Sequence, residues 1–421
     1  VRYLLINDVI LPKQIRMKKF FLPTFFLFLL LVHSAAGNPN TTLSPLARVS
    51  VLTASPGPAL YSAFGHNALR VVDPIMGIDE VYNYGTFDFD TPNFYLRFLK
   101  GQLNYKLSVS SIGQFVFEYQ SDGRQVIEQV LNLKPAEVQQ IYDFLQVNRL
   151  PENAYYLYDF FFDNCATRIR DLVDLKLRPV WHEDPHPGPE RSFRNMLNHY
   201  IVGTPWARIG IHLVLGMPSD RVATPWEYMF LPDDMKIAFD LATLPDGRPL
   251  VRHTSELIPL EFSPPSPGWF SPTLLLWLLV ALGVALQWKK PLGRIFDKVF
   301  FSVLGIAGLV ISFLWFVSDH TATDLNLNLL WALPTHLYFI FKSSPNQPKG
   351  ISKFYFLIAF FLSVALLLGW PFLPQEFHPA FLPLLLYIAF RSFVFGFGSA
   401  AGSRLLLKFA GRQLTGKLHA D

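Results

Sequence analysis

The chain has 421 residues, of which 51% are apolar and only 16% charged, against about a quarter charged in an ordinary soluble protein. The net charge of +4 is small, and the basic residues form no stripe with interleaved aromatics, which argues against a nucleic-acid partner. A single cysteine, Cys165, excludes an internal disulfide.

The first organised element is Met17 to Gly37, which reads as a secretory signal: Lys18 and Lys19 open it, an apolar centre runs from Phe20 to Val32, and Ser34-Ala35-Ala36 is the cleavage site. Met17 is the expected start, residues 17–36 the signal and Gly37 the first mature residue. No cysteine directly follows, so the chain is not itself lipidated there. An extracytoplasmic domain is expected over 37–261. Its first part carries β-branched and aromatic strand patterns at Ala47–Ser55, Ala68–Asp73, Glu80–Phe87, Leu103–Ser108 and Gln125–Leu133. The period then changes. Pro135 opens a helix to about Asn148, Asp163-Asn164 opens a second carrying Ile169, Leu172 and Val173 on one face, and helical patterns continue through Arg191–Leu215 and Pro232–Leu244. A Pro-rich linker, 262–272, leads to a membrane part over 273–400, with a cytoplasmic tail at 401–421.

Five apolar runs, at about 273–288, 299–317, 325–341, 354–371 and 379–399, approach the roughly 20 residues that cross a hydrocarbon core. Lys289, Lys290, Arg294 and Lys298 fill the first loop, Lys342, Lys349 and Lys353 the third, and Arg404, Lys408, Arg412 and Lys417 the tail. Loops 318–324 and 372–378 contain no Lys or Arg. The positive-inside rule places the tail in the cytoplasm and the soluble domain outside, which is also where the signal segment sends it. The expected location is therefore the inner membrane, multi-pass, with the soluble domain in the periplasm.

Cys165 opens a predicted helix in YDFFFDNCATRIRD, where free backbone N–H groups and the helix dipole favour a thiolate. A lone thiol in an oxidising compartment is either buried filler or a nucleophile, and the polar neighbours Asn164, Thr167, Arg168 and Arg170 favour the second. His66, directly before an alternating strand in SAFGHNALRV, is the candidate base. On the next strand, in DEVYNYGTF, Asn83 or Tyr84 orients the imidazole, and period-two alternation lets only one of them face the site. Asn83 is taken as catalytic, and Tyr84 and Arg168 as substrate-binding. At the outer membrane face Asp319, His320, Asp324, Asn326 and Asn328 lie near Trp331, with His320, Asn326 and Asn328 the expected groups for a lipid substrate. His336 and Arg391 fall inside spans, where an ionisable group is a functional candidate unless it pairs structurally. The histidines 182, 186, 199 and 212 have no metal spacing, so no metal and no cofactor is expected.

Histidine on one strand, a polar orienter on the next and then an NC pair opening a helix resembles the circularly permuted papain-like fold of NlpC-type peptidases and lecithin:retinol-type acyltransferases. More closely, ALYSAFGHNALRV, VYNYGTFDF, FFFDNCATRIRDLVD and GMPSDRVATPWEYMFLPDDM, with DHTATDLNLNLLWALPTHL in the membrane part, resemble the Lnb family of lipoprotein N-acyltransferases. The resemblance implies an α+β permuted papain-like domain before an all-α bundle of about five transmembrane helices. Cys165 and His66 match its catalytic pair. It also implies a thiol acyltransferase that moves a fatty acyl chain from a phospholipid, through a Cys thioester, to the α-amine of a diacylglyceryl-cysteine lipoprotein. The same dyad with water as acceptor would make a cell-wall peptidase or amidase, and an inert Cys165 would leave a membrane receptor or assembly factor.

Overall fold

The computed structural model describes residues 41–87, 90–182, 188–260, 271–343 and 349–398, and the chain from Leu43 onward is one compact unit. The expected signal, 17–36, most of the Pro-rich linker and the tail, 401–421, lie outside the described residues.

Seven strands form one antiparallel sheet: β1 (Arg48–Ala54), β2 (His66–Asp73), β3 (Ile78–Thr86), β4 (Asn104–Ser111), β5 (Val126–Leu131), β6 (Tyr155–Leu157) and β7 (Val251–Ile258), in the order β6-β4-β3-β2-β1-β5-β7. Helices α1 (Phe94–Leu99) and α2 (Ile112–Ser121) flank β4. They are followed by α3 (Pro135–Asn148), α4 (Cys165–Leu177), α5 (Phe193–Tyr200), α6 (Pro205–Val214), α7 (Pro225–Tyr228) and α8 (Pro232–Leu241). Alternation decides the two cores. Val49, Val51, Leu69, Val71, Tyr82 and Tyr84 face Ile141, Leu145, Ile169, Val173 and Met235 of α3, α4 and α8. Leu52, Ala54, Ala68 and Val81 face Phe115 and Tyr119 of α2. Of the sheet, β6 and β7 are absent from the strands predicted above: β6 is three residues long, and β7 is largely exposed, so neither shows a buried alternation.

The membrane part comprises α9 (Pro272–Leu286), α10 (Lys290–Phe316), α11 (His336–Lys342), α12 (Gly350–Gly369) and α13 (Phe381–Phe397). Two helical stretches, Lys290–Phe316 and Gly350–Phe372, are long and apolar enough to cross a membrane, and α9 and α13 are shorter apolar helices. The third predicted span needs correction. Residues 325–341 are not one helix but a 3-10 turn, Leu327–Leu330, and the seven-residue α11. Leu325 takes a left-handed φ of 48° and Pro334 cannot continue a helix, while the Asn326 and Asn328 amides are drawn off to another element.

That element is α6. Asn326 Nδ2 donates to the carbonyls of Leu213 and Val214, Asn328 Nδ2 to those of His212 and Leu213, and Gln375 Nε2 to that of Leu215. Side chains of the membrane part thus satisfy the orphan carbonyls at the end of α6. Gly216, next in the chain, lies so close to the Asp324 carbonyl that a Cβ there would sit 1.8 Å from its oxygen. Inside the bundle, Arg391 is paired: its guanidinium meets both Asp297 oxygens, and the Tyr387 hydroxyl donates to the same carboxylate. His336 is also satisfied, between the Tyr355 hydroxyl and the Trp331 carbonyl.

Candidate active site

Asn164, not Asp163, caps α4. Its Oδ1 accepts from the N–H groups of Ala166 and Thr167, and its own N–H donates to Thr167 Oγ1 at 2.8 Å, closing a capping box. The Asn164 amide also donates to the Phe160 and Phe230 carbonyls, which fixes the residue before Cys165 on both sides. Asp163 turns away to hold Arg168 through two hydrogen bonds of 2.6 and 2.8 Å. With the next two N–H groups on the cap, that of Cys165 itself has no acceptor among the described residues.

His66 is the first residue of β2. The β2–β3 pairing stops at Leu69 and Tyr82, so the two strands part beyond it and leave room for the start of α4. Antiparallel partners share a face, which puts Leu69 and Tyr82 toward α4 and places His66 and Asn83 together on the other side. The register decides which of Asn83 and Tyr84 lies beside His66. Asn83 Oδ1 lies 2.5 Å from His66 Nε2, whereas Tyr84 is 2% exposed in the core with its hydroxyl on Asn148 Oδ1. Because a carboxamide oxygen can only accept, Nε2 carries the proton, and Nδ1 is the nitrogen left for the thiol. The imidazole is backed by the Tyr119 ring, 6.4 Å away and nearly parallel, over which the Arg124 guanidinium lies.

Gly85, in the irregular last part of β3, takes φ +87°, and a Cβ there would come 3.8 Å from Cys165 Cβ and 3.9 Å from His66 Cε1. Glycine here supplies the left-handed turn that brings β3 across both side chains. Sequence reasoning passed over it, and over Tyr119 and Arg124, because none carries nucleophilic or basic chemistry of its own in this setting.

Burial alone would push the Cys165 thiol up. The charge and hydrogen bond of His66, and the N–H groups of Asn67 and Ala166, outweigh it and hold the thiol below its ordinary value. Burial likewise disfavours a charged His66, as does Arg124, but the Cys165 thiolate and the hydrogen bonds to Cys165 and Asn83 win and raise the imidazole above 6.5. The two shifts share one cause: each group favours the charged form of the other.

Cys165 and His66 open on a cavity of about 500 Å³. Its walls are Leu60, Tyr61, Phe64, Phe87, Phe94, Tyr95, Phe98, Tyr105, Tyr158, Phe160 and Phe230, with Asn164 beside the cysteine. The other expected substrate groups lie elsewhere. Arg168 stacks on the Tyr156 ring at 3.6 Å and pairs with Asp163, and Tyr84 is core. Asn326 and Asn328 are buried at the end of α6, and His320 Nε2 meets the Phe98 carbonyl at 2.8 Å, outside the cavity wall. Their amides and ring nitrogens are spent on main-chain groups. Among the described residues no group of three or more His, Cys, Asp or Glu could hold a metal ion.

A buried Cys–His–Asn cluster on an apolar cavity, in an α+β domain that leads into helices long and apolar enough to cross a membrane, is the arrangement of a membrane protein with a folded domain outside the bilayer. Residues 39–198 match the family model of the Lnb N-terminal periplasmic domain, and residues 264–398 that of the Lnb transmembrane domain. The chain belongs to the Lnb family. Comparison with curated proteins and with solved structures finds no match.

Proposed function

We propose that the protein is a lipoprotein N-acyltransferase of the inner membrane, using Cys165 as nucleophile, His66 as base and Asn83 as the group that orients it. Family membership points to a membrane protein that modifies lipoproteins. The observation that carries the chemistry is the placing of the Cys165–His66–Asn83 cluster on a cavity walled almost entirely by aromatic and aliphatic side chains. Such a wall suits a fatty acyl chain and offers little to the polar groups of a cell-wall peptide. The chain order, histidine strand before cysteine helix, is that of a permuted papain-like domain. The domain limits are taken as 37–261, 262–272 and 273–400, multi-pass, with the soluble domain in the periplasm as the loop charges require.

In the first half-reaction the Cys165 sulfur attacks the ester carbonyl of a phospholipid. The unoccupied Cys165 N–H, joined by the Tyr158 hydroxyl on the cavity wall, receives the developing oxyanion. Burial and the nearby thiolate hold the Tyr158 phenol well above its usual value, so it stays protonated and able to donate. The C–O bond breaks, His66 returns its proton to the leaving oxygen, and a lysophospholipid departs. In the second half-reaction His66 takes a proton from the α-amine of a diacylglyceryl-cysteine lipoprotein, whose nitrogen attacks the thioester carbonyl. The C–N bond forms, the C–S bond breaks, and the proton on His66 passes to the Cys165 sulfur, which leaves an amide and restores the enzyme. The apolar wall keeps water from the waiting thioester.

The test uses the purified full chain in nanodiscs with a phospholipid carrying isotope-labelled acyl chains and a synthetic diacylglyceryl-cysteine peptide. Mass spectrometry should find one labelled acyl group on the peptide amine, absent with Cys165→Ala. Release of label as free fatty acid, equally fast with or without peptide, would make the enzyme a hydrolase and overturn the reading.

A further inference from the structure

None of the six residues of helix α1 is fully buried, although four of them are Tyr95, Leu96, Phe98 and Leu99, exposed at 77, 50, 49 and 43%. Across the cavity mouth the short 3-10 turn Leu60–Ser62 presents Leu60 and Tyr61, exposed at 52 and 76%. Tyr95, Phe98, Leu60 and Tyr61 are also wall residues of the cavity that holds Cys165, so the apolar collar and the cavity lining are one continuous surface. Water is a poor partner for such a patch, which makes it an interaction surface.

What covers it is set by where α1 is tied. The Asp319 N–H donates to the Lys100 carbonyl at 2.9 Å, Gln102 Nε2 to Asp319 Oδ2 at 2.8 Å, and His320 Nε2 bonds the Phe98 carbonyl. Asp319 and His320 follow the end of α10 at Phe316 by only three and four residues. The uncharged part of α10, from Val299 to Phe316, has 18 residues and rises about 27 Å at 1.5 Å per residue, close to the thickness of a hydrocarbon core. The C-terminal end of α1 is thereby pinned at the level where α10 leaves the membrane.

We infer that α1 and the Leu60–Ser62 turn form a lipid-facing collar that enters the outer leaflet, so that an acyl chain passes from the bilayer into the Cys165 cavity without crossing water. Apolar rings and aliphatic chains beside a polar main chain fit the headgroup boundary, and Arg97 on the same helix is exposed at that height to meet lipid phosphate. The inference deepens the proposed acyl transfer and rests on it for the identity of the cargo, but its test does not depend on turnover.

A nitroxide is attached at position 96 in Cys165→Ser/Leu96→Cys, and in a second variant at position 95 in Cys165→Ser/Tyr95→Cys, each reconstituted in phospholipid nanodiscs. A control label at Met76→Cys sits on the exposed β2–β3 turn, at the opposite end of those strands from His66. Relaxation by oxygen, which concentrates in lipid, is compared with relaxation by a water-soluble nickel chelate. Labels at 95 and 96 should be at least five times less accessible to nickel than the label at 76 while remaining open to oxygen. Nickel access equal to that at 76 overturns the proposal, and so does protection from both reagents, which would mean that protein covers the collar. Absence of acyl transfer by the unsubstituted chain in the labelled-phospholipid assay, beside an intact depth signal at 95 and 96, would refute the enzyme reading and leave the collar standing.

Discussion

Asn83→Ala separates the roles within the cluster most sharply. The change removes the oxygen 2.5 Å from His66 Nε2 and leaves Cys165 and the rest of β3 in place. A hydrogen bond to a group that becomes charged contributes about 1.5–3 kcal/mol. At about 1.4 kcal/mol for each factor of ten, its loss should slow acylation of Cys165 by roughly 10- to 150-fold. Removing the nucleophile or base should cost several powers of ten more, as with Cys165→Ala or His66→Ala. The assay is single-turnover formation of the acyl-enzyme from phospholipid in nanodiscs, read by intact mass over time. Tyr84→Phe is the contrast. It deletes the hydroxyl bound to Asn148 Oδ1, lowers stability by about 0.5–1.5 kcal/mol and leaves the acylation rate within twofold. A slow Tyr84→Phe beside a nearly normal Asn83→Ala would refute the assignment of faces along β3.

The depressed thiol predicts a pH profile for alkylation of Cys165 by iodoacetamide. Reactivity should persist below the ordinary thiol value of 9.0, fall as pH drops through the depressed value, and shift back upward in His66→Ala, an unshifted limb contradicting the stabilisation of the thiolate by His66. Tyr158→Phe should slow acylation about tenfold or more while leaving alkylation unchanged, since it removes only an oxyanion donor, and equal slowing of both would mean a packing role. Asn328→Ala strands the Trp331 indole N–H and the His212 carbonyl and leaves the Leu213 carbonyl to Asn326 alone, so thermal unfolding in detergent should show roughly 2–5 kcal/mol of lost stability. Unchanged stability with lost activity would return Asn328 to substrate binding.

Much of this was written in the sequence as local pattern. The strands β1 to β5 alternate one buried face with another, α3 begins at a proline, and α4 begins at its capping asparagine, so each could be read from period and cap. Cys165 and His66 stand out because their chemistry is rare and their places at a helix start and strand start are local properties. Long-range features were hidden. That Asn83 rather than Tyr84 faces His66 follows from register, which alternation alone leaves two-valued. Gly85 matters only because β3 passes over Cys165 and His66, a contact between segments 80 residues apart. The run 325–341 reads as a span by hydropathy, yet its asparagines find better partners in the carbonyls of α6, over 110 residues earlier, and the helix is given up for them. The polar residues of that loop were legible as a group with a purpose. In the structure the amides of Asn326 and Asn328 bond the carbonyls at the end of α6, in the part of the chain that carries the cysteine.

The central claim is that Cys165 carries the acyl chain, and intact mass of the protein after incubation with phospholipid in nanodiscs, before any acceptor is added, tests it most directly. The account predicts a single acyl-sized increment that hydroxylamine removes, that a diacylglyceryl-cysteine peptide discharges, and that Cys165→Ala abolishes. An increment that survives Cys165→Ala, or its absence from wild-type protein that still acylates the peptide, would contradict it.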